Sequence, residues 1–94
     1  MKKVHYSIVV SGKVQGVWFR KYTKNKADAL GIKGFVKNER NGSVYIAAEG
    51  YTAVLQEFIN WLHTGSPLSK VSNVSFDVDA TLKGYSEFSI RRDV

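Results

Sequence analysis

Near the start of the chain, apolar side chains fall on alternate positions. Val4, Tyr6, Ile8 and Val10 share one side, with His5, Ser7 and Val9 between them. A period of two marks a strand, so residues 4–10 are expected to form one. The period then changes. Phe19, Tyr22, Lys26/Ala27 and Leu30 recur at helical spacing, with Lys21, Lys24 and Asp28 on other sides. Gly31 is placed to end that helix in a left-handed conformation. Lys33–Asn38 reads as a second strand. Asn41-Gly42 is a hairpin signal, because both residues tolerate positive φ, and residues 43–49 return as a third strand with Val44, Ile46 and Ala48 inward. Thr52 is expected to cap a second helix whose apolar side is Val54, Leu55, Phe58, Ile59 and Leu62. Gly65-Ser66-Pro67 stops it. Val74, Phe76 and Val78 alternate in a fourth strand, and Phe88 and Ile90 mark a fifth.

The order is β-α-β-β-α-β with a short additional C-terminal strand, and no repeat or linker interrupts it. Both helices have to bury their apolar sides on one face of the sheet. The expected class is α+β: a ferredoxin-like sandwich with two helices on one face of an antiparallel sheet, as one domain over residues 1–94. That architecture hosts many functions, so function must come from a site.

Composition narrows the chemistry. The chain has 94 residues and no cysteine, which removes thiolate catalysis and cysteine-ligated zinc. No apolar run approaches a membrane span, and the opening Met1-Lys2-Lys3 does not read as a signal peptide; a cytoplasmic protein is expected. The net charge of +6 is unevenly distributed. Residues 1–41 hold ten Lys/Arg against two Asp/Glu, and residues 42–94 hold four against six. An anionic partner should therefore dock on the N-terminal half.

The segment between first strand and first helix reads Ser11-Gly12-Lys13-Val14-Gln15-Gly16-Val17-Trp18-Phe19-Arg20. A loop in that position delivers unpaired backbone N–H groups at the positive end of a helix dipole. Gly12 and Gly16 permit the curvature of a nest, and Arg20 can fork two N–H bonds onto phosphate oxygens, which a lysine cannot copy. Glycines four apart near an arginine also occur in ordinary loops, so the spacing alone leaves both readings open. No Gly-Lys-Ser/Thr follows the second glycine and no G-x-G-x-x-G is present, which disfavours nucleotide chemistry.

Gly12–Arg20 resembles the acylphosphatase signature G-x-V-Q-G-V-x-F-R. A second block, L-G-[LI]-x-G-[WF]-V-x-N…G-x-V, is matched by Leu30-Gly31-Ile32-Lys33-Gly34-Phe35-Val36-Lys37-Asn38 and by Gly42-Ser43-Val44. Glu49-Gly50, Trp61-Leu62 and Gly65 continue the likeness over nearly the whole chain. The resemblance implies a ferredoxin-like enzyme that cleaves the carboxyl–phosphoryl anhydride of a small acyl phosphate, with no metal and no cofactor. It places the phosphate-binding arginine at Arg20 and the water-positioning asparagine at Asn38. It places the backbone donors at Gln15, Gly16, Val17, Trp18, Phe19 and Arg20. Two departures stand out: Phe35 occupies a position where tryptophan is commoner, and Glu39 puts an acid beside the expected dianion site.

The remaining candidates read as structural. His5 lies in a strand and His63 at a helix end, where a cation suits the dipole. Asp77 and Asp79 share a strand face but are too few for a metal site. Lys21, Lys24 and Lys26 read as a solvated face that also steers anions, Phe19 as core, Trp18 as exposed near the mouth, and Trp61 as packing. The rival class is a nucleic-acid-binding module of the same strand order. Lys33-Gly34-Phe35 begins like its third-strand motif, but Val36, Lys37 and Asn38 depart from it, and no pair of exposed aromatics is evident. An inactive regulatory homologue is the other alternative. The expectation is a monomer that binds neither nucleic acid nor membrane.

Overall fold

A computed structural model describes residues 2–92. Its elements are β1 (Lys3–Lys13), α1 (Phe19–Leu30), β2 (Lys33–Asn38), β3 (Val44–Tyr51), α2 (Thr52–Thr64), β4 (Lys70–Asp79) and β5 (Phe88–Arg91). The sheet order is β4-β1-β3-β2-β5. The first four strands of that order are antiparallel, as expected of a ferredoxin-like sandwich. The fifth, the additional C-terminal strand, makes the sheet mixed, because β5 runs parallel to β2. Asp79, at the end of β4, pairs with His5 near the start of β1, so the chain must reverse before it can add another strand. Residues 80–87 make that return, and β5 enters in the direction of β2.

The alternation along β1 is realised. Tyr6, Ile8 and Val10 join Val36, Val44, Ile46 and Ala48 under the helices, where Phe19, Ala27, Leu55, Phe58 and Leu62 meet them. In α1 the buried row is Phe19, Thr23 and Ala27, four residues apart, while Tyr22 is exposed, contrary to the expected stripe. The i, i+4 row rests on the sheet, which turns position 22 outward. Gly31 ends α1 at φ 73°, with its own N–H on Asp28 O and that of Ile32 on Ala27 O. Thr52 is not a cap: Tyr51 is the N-cap of α2 and makes no side-chain bond to it, so Thr52 is the first helical residue. Phe76 and Val78 face the helix side yet remain exposed, because β4 is an edge strand; Phe76 stacks on Tyr6 at 4.7 Å.

Strand direction sets the position of the site. β1 and β2 each pair antiparallel with β3, and β5 is parallel to β2, so β1, β2 and β5 all point the same way. Their C-terminal ends, Lys13, Asn38 and Arg91, therefore lie along one end of the sheet, where the chain also turns into α1.

Candidate active site

Three apolar anchors shape the loop that follows β1. Val14, Val17 and Phe19 are buried in the core, whereas Gly16 and Trp18 between them are exposed and Gln15 and Arg20 are half-buried. Every anchor pins the backbone without consuming its donors. Gly16 (φ 71°) and Trp18 (φ 64°, ψ 17°) both adopt left-handed backbone, which turns successive N–H groups into one concavity. For tryptophan this conformation costs about 1–2 kcal/mol. Among the described residues, no N–H of residues 15–20 donates to a protein acceptor. Helix α1 begins with no side-chain cap and no acidic residue in its first turn, so nothing in the helix itself answers its dipole.

Gly12 has a different part from the one its spacing suggested. It still belongs to β1, at the bulge where the β1–β4 register shifts, and a Cβ there would strike the Lys70 carbonyl. It lets β4 approach; the cradle itself is built by residues 14–20.

The loop opens onto a cavity of about 530 Å³. Arg20, Lys21 and Arg92 supply positive charge to its lining, and Asn38, Trp18 and Ile90 complete much of the wall. No Asp or Glu belongs to the lining among the described residues, so Glu39 does not intrude on it. Arg20 Nη1 donates to Arg91 O at 2.9 Å, which ties the guanidinium to the end of β5 and leaves its other donors for the cavity. Asn38 follows Gly34 and Val36 on the helix-facing side of β2, a polar residue at the end of an inward row. Its Oδ1 is buried and has no hydrogen-bond partner. A buried acceptor left empty costs about 1–3 kcal/mol. The site carries that cost beside the loop donors.

Of the residues singled out in the sequence, Gly16, Trp18, Phe19, Arg20 and Asn38 line this one cavity, whereas Gln15 and Val17 do not belong to its lining. The sequence pattern left three features unmarked. The Gln15 side chain donates from Nε2 to Glu39 O (2.7 Å) and Ser43 O (2.9 Å), clamping the loop to the β2–β3 turn. Ser66 Oγ holds Val17 O at 2.8 Å from the far side. Arg92 reaches the cavity only because β5 is parallel to β2; its one sequence signal was its place in the Arg91-Arg92 pair.

Away from the cavity, His5 Nδ1 and Glu49 Oε2 are 2.7 Å apart on the outer face of the sheet, both side chains buried. Burial raises the Glu49 pKa, but donors from Lys83 N–H, His5 and Gly84 N–H outweigh it and hold the carboxyl below its usual range. Ser7 Oγ lies 3.3 Å from His5 Nε2, giving the acid–imidazole–hydroxyl order of a nucleophilic relay. Its strand pairs on both edges, with Ser7 opposite Ala47 and Asp77, so no free backbone donors surround that hydroxyl to receive an oxyanion. The same face brings Phe35 and Tyr45 within 5.8 Å, a pair the sequence did not reveal. Tyr85 packs edge-on against Phe35, and the Arg91 guanidinium lies 3.7 Å from its ring centre. Phe35 is thus covered and offers no platform to a nucleic-acid base. His63 is exposed in the last turn of α2, and Trp61 packs against Phe19.

Comparison with known proteins places this geometry in context. A family model described as Acylphosphatase matches residues 6–90. The chain is 45% identical over 84 residues to the acylphosphatase of Thermotoga maritima, covering 89% of this chain and 92% of that protein. It superposes on the crystal structure of acylphosphatase from Bacillus subtilis with a TM-score of 0.92 at 42% identity, covering 94% of this chain and 98% of the other. An acylphosphatase structure from Coxiella burnetii gives a TM-score of 0.90 at 37% identity, over 96% and 94% of the two chains.

Proposed function

Because the chain belongs to the acylphosphatase family, enzymes that hydrolyse acyl phosphates, we propose that it performs this reaction in the cavity at the head of α1, without a metal ion. The phosphoryl oxygens sit against the N–H groups of residues 15–20 and the guanidinium of Arg20. A water molecule donates a hydrogen bond to Asn38 Oδ1, which turns its lone pair toward phosphorus. In-line attack forms the new P–O bond as the anhydride P–O bond breaks, and the acyl carboxylate leaves with the electron pair. An amide is too weak a base to take the proton, so a phosphoryl oxygen of the substrate receives it. Phosphoryl transfer of this kind depends on positioning and charge stabilisation more than on covalent help.

The observation that carries the reading is the pairing of empty groups. Unpaired loop donors and a cationic wall belong to the same cavity lining as Asn38, whose buried Oδ1 has no partner. The first two suit a phosphate dianion, and the third suits a water. The same proposal holds that the protein is a cytoplasmic monomer with no nucleic-acid partner; among the described residues no helix is long and apolar enough to cross a membrane.

The test is hydrolysis of benzoyl phosphate by purified protein in excess EDTA. Turnover undiminished by the chelator is expected. Turnover abolished by EDTA would overturn the metal-free mechanism, and none in either condition would leave an inactive homologue. Salt-dependent binding of an oligonucleotide would revive the rival class.

A further inference from the structure

Trp18 is 71% exposed, the most exposed large apolar side chain among the described residues, and it lines the cavity from left-handed backbone. Its neighbours Val17 and Phe19 are buried, so the chain around it is fixed rather than free to bury the indole. Among the described residues no aromatic ring stacks on it. The phosphoryl-binding groups need only the backbone at position 18, which leaves the indole unexplained by the hydrolysis itself. Ile90, in β5, is a half-buried apolar side chain of the same lining, whereas Val14 and Phe19, which also line it, are buried in the core.

We propose that Trp18 is a specificity-determining residue: its indole, with Ile90, forms an apolar shelf that receives the acyl part of the substrate and favours a flat aryl group over a small alkyl one. This rests on the acyl-phosphate reading and adds the substrate class to it. The reacting phosphorus is held by the loop donors and Arg20, so the acyl carbon must project away from them toward the cavity mouth. A planar ring there stacks on indole and removes apolar surface from water, whereas an acetyl group is too small to cover it. The acyl group is not held by charge in this scheme; Lys21 and Arg92 act on the phosphoryl end and on the approach of the anion.

The experiment compares kcat/KM for benzoyl phosphate and acetyl phosphate in the wild type, Trp18→Gly and Trp18→Phe. Glycine is the replacement of choice because it accepts the left-handed backbone without strain. The benzoyl-to-acetyl ratio should fall about tenfold in Trp18→Gly, mainly through a higher KM for benzoyl phosphate, and Trp18→Phe should restore most of it. A binding readout free of turnover accompanies it: phenylphosphonate should bind more tightly than methylphosphonate to the wild type, and the difference should shrink in Trp18→Gly. An unchanged ratio in Trp18→Gly, or a phenyl preference that survives the loss of the indole, overturns the proposal. Failure of the wild type to hydrolyse either acyl phosphate, while still binding both phosphonates, would instead defeat the acyl-phosphate reading.

Discussion

The loop at residues 15–20 and the His5–Glu49 cluster are both polar regions built on the same sheet, and their hydrogen bonds are arranged in opposite ways. In the cluster, Glu49 accepts from Lys83 N–H and Gly84 N–H and meets His5, and His5 meets Ser7 with its other nitrogen. In the loop, the N–H groups of residues 15–20 find no protein acceptor among the described residues, and Asn38 Oδ1 beside them finds no donor. The cluster contains the more conventional catalytic side chains. The cavity contains the unmet demand. A satisfied network holds structure together, whereas groups kept empty at a cost are available to a ligand. Titratable residues alone point to the face of the sheet opposite the helices, away from the cavity.

The largest expected effect comes from removing the fork that the loop proposal depends on. Arg20→Lys keeps one positive charge but loses planar two-point donation and the bond to Arg91 O. Steady-state kinetics on benzoyl phosphate should show kcat/KM reduced by about 10²–10³-fold, with weaker competitive inhibition by inorganic phosphate. A lysine variant within threefold of wild type would show that point charge suffices, and the contrast with the closed cluster would lose its main support.

Asn38→Ala separates the empty acceptor from the donors around it. Its proposed part is to orient water, so kcat should fall about 100-fold, near 3 kcal/mol, while the affinity for inorganic phosphate stays within about twofold. Because Oδ1 is buried without a partner, its removal relieves a cost, and the thermal midpoint should not decrease. Equal loss of phosphate binding and turnover would place Asn38 in the phosphate cradle instead.

Gln15→Ala is the intermediate case, since this side chain reaches no substrate atom in the proposal. Losing its bonds to Glu39 O and Ser43 O frees the loop from the β2–β3 turn. Phosphate affinity and kcat/KM should both fall about tenfold, because donors that wander must be reordered on binding. Gln15→Glu should be worse, placing a carboxylate against two carbonyls.

How much of this was legible in the sequence follows from how local each interaction is. Alternation in β1, the Gly31 stop and the apolar side of α2 are short-range patterns, and the structure reproduces them. The burial of Thr23 in place of Tyr22 was invisible, because a one-residue difference in spacing is resolved only by where the sheet lies. The parallel entry of β5, which carries Arg92 to the cavity, depends on the return path of residues 80–87. Gln15 was read as a backbone donor, and its side chain's reach to residues 39 and 43 is a long-range contact that no spacing encodes. Arg20 and Asn38 stand out in the sequence through their motif, and that both line one cavity depends on three strands pointing one way.

The smallest catalytic effect is expected at the closed cluster, and there the comparison predicts a change in stability instead. Glu49→Gln keeps the shape but has one acceptor oxygen where the carboxylate has two, so either the Gly84 N–H or the pair of donors at Oε2 loses its partner. Benzoyl phosphate hydrolysis should stay within twofold, while unfolding stability at pH 7 should fall by about 1–3 kcal/mol. The pH dependence gives a second signature. Glu49 has a carboxyl pKa held below its ordinary 4.5 in the folded state, so the folded protein gains stability from the ionised form at pH values above that figure. That gain is lost as pH falls through the lower, folded value. The wild type should therefore lose stability on acidification from about pH 5 to pH 3 more steeply than Glu49→Gln, as denaturant unfolding at each pH would reveal. Parallel curves for the two proteins would mean that Glu49 contributes nothing through its charge. A large loss of turnover in the folded variant would mean that the outer face is not the structural counterpart of the open loop.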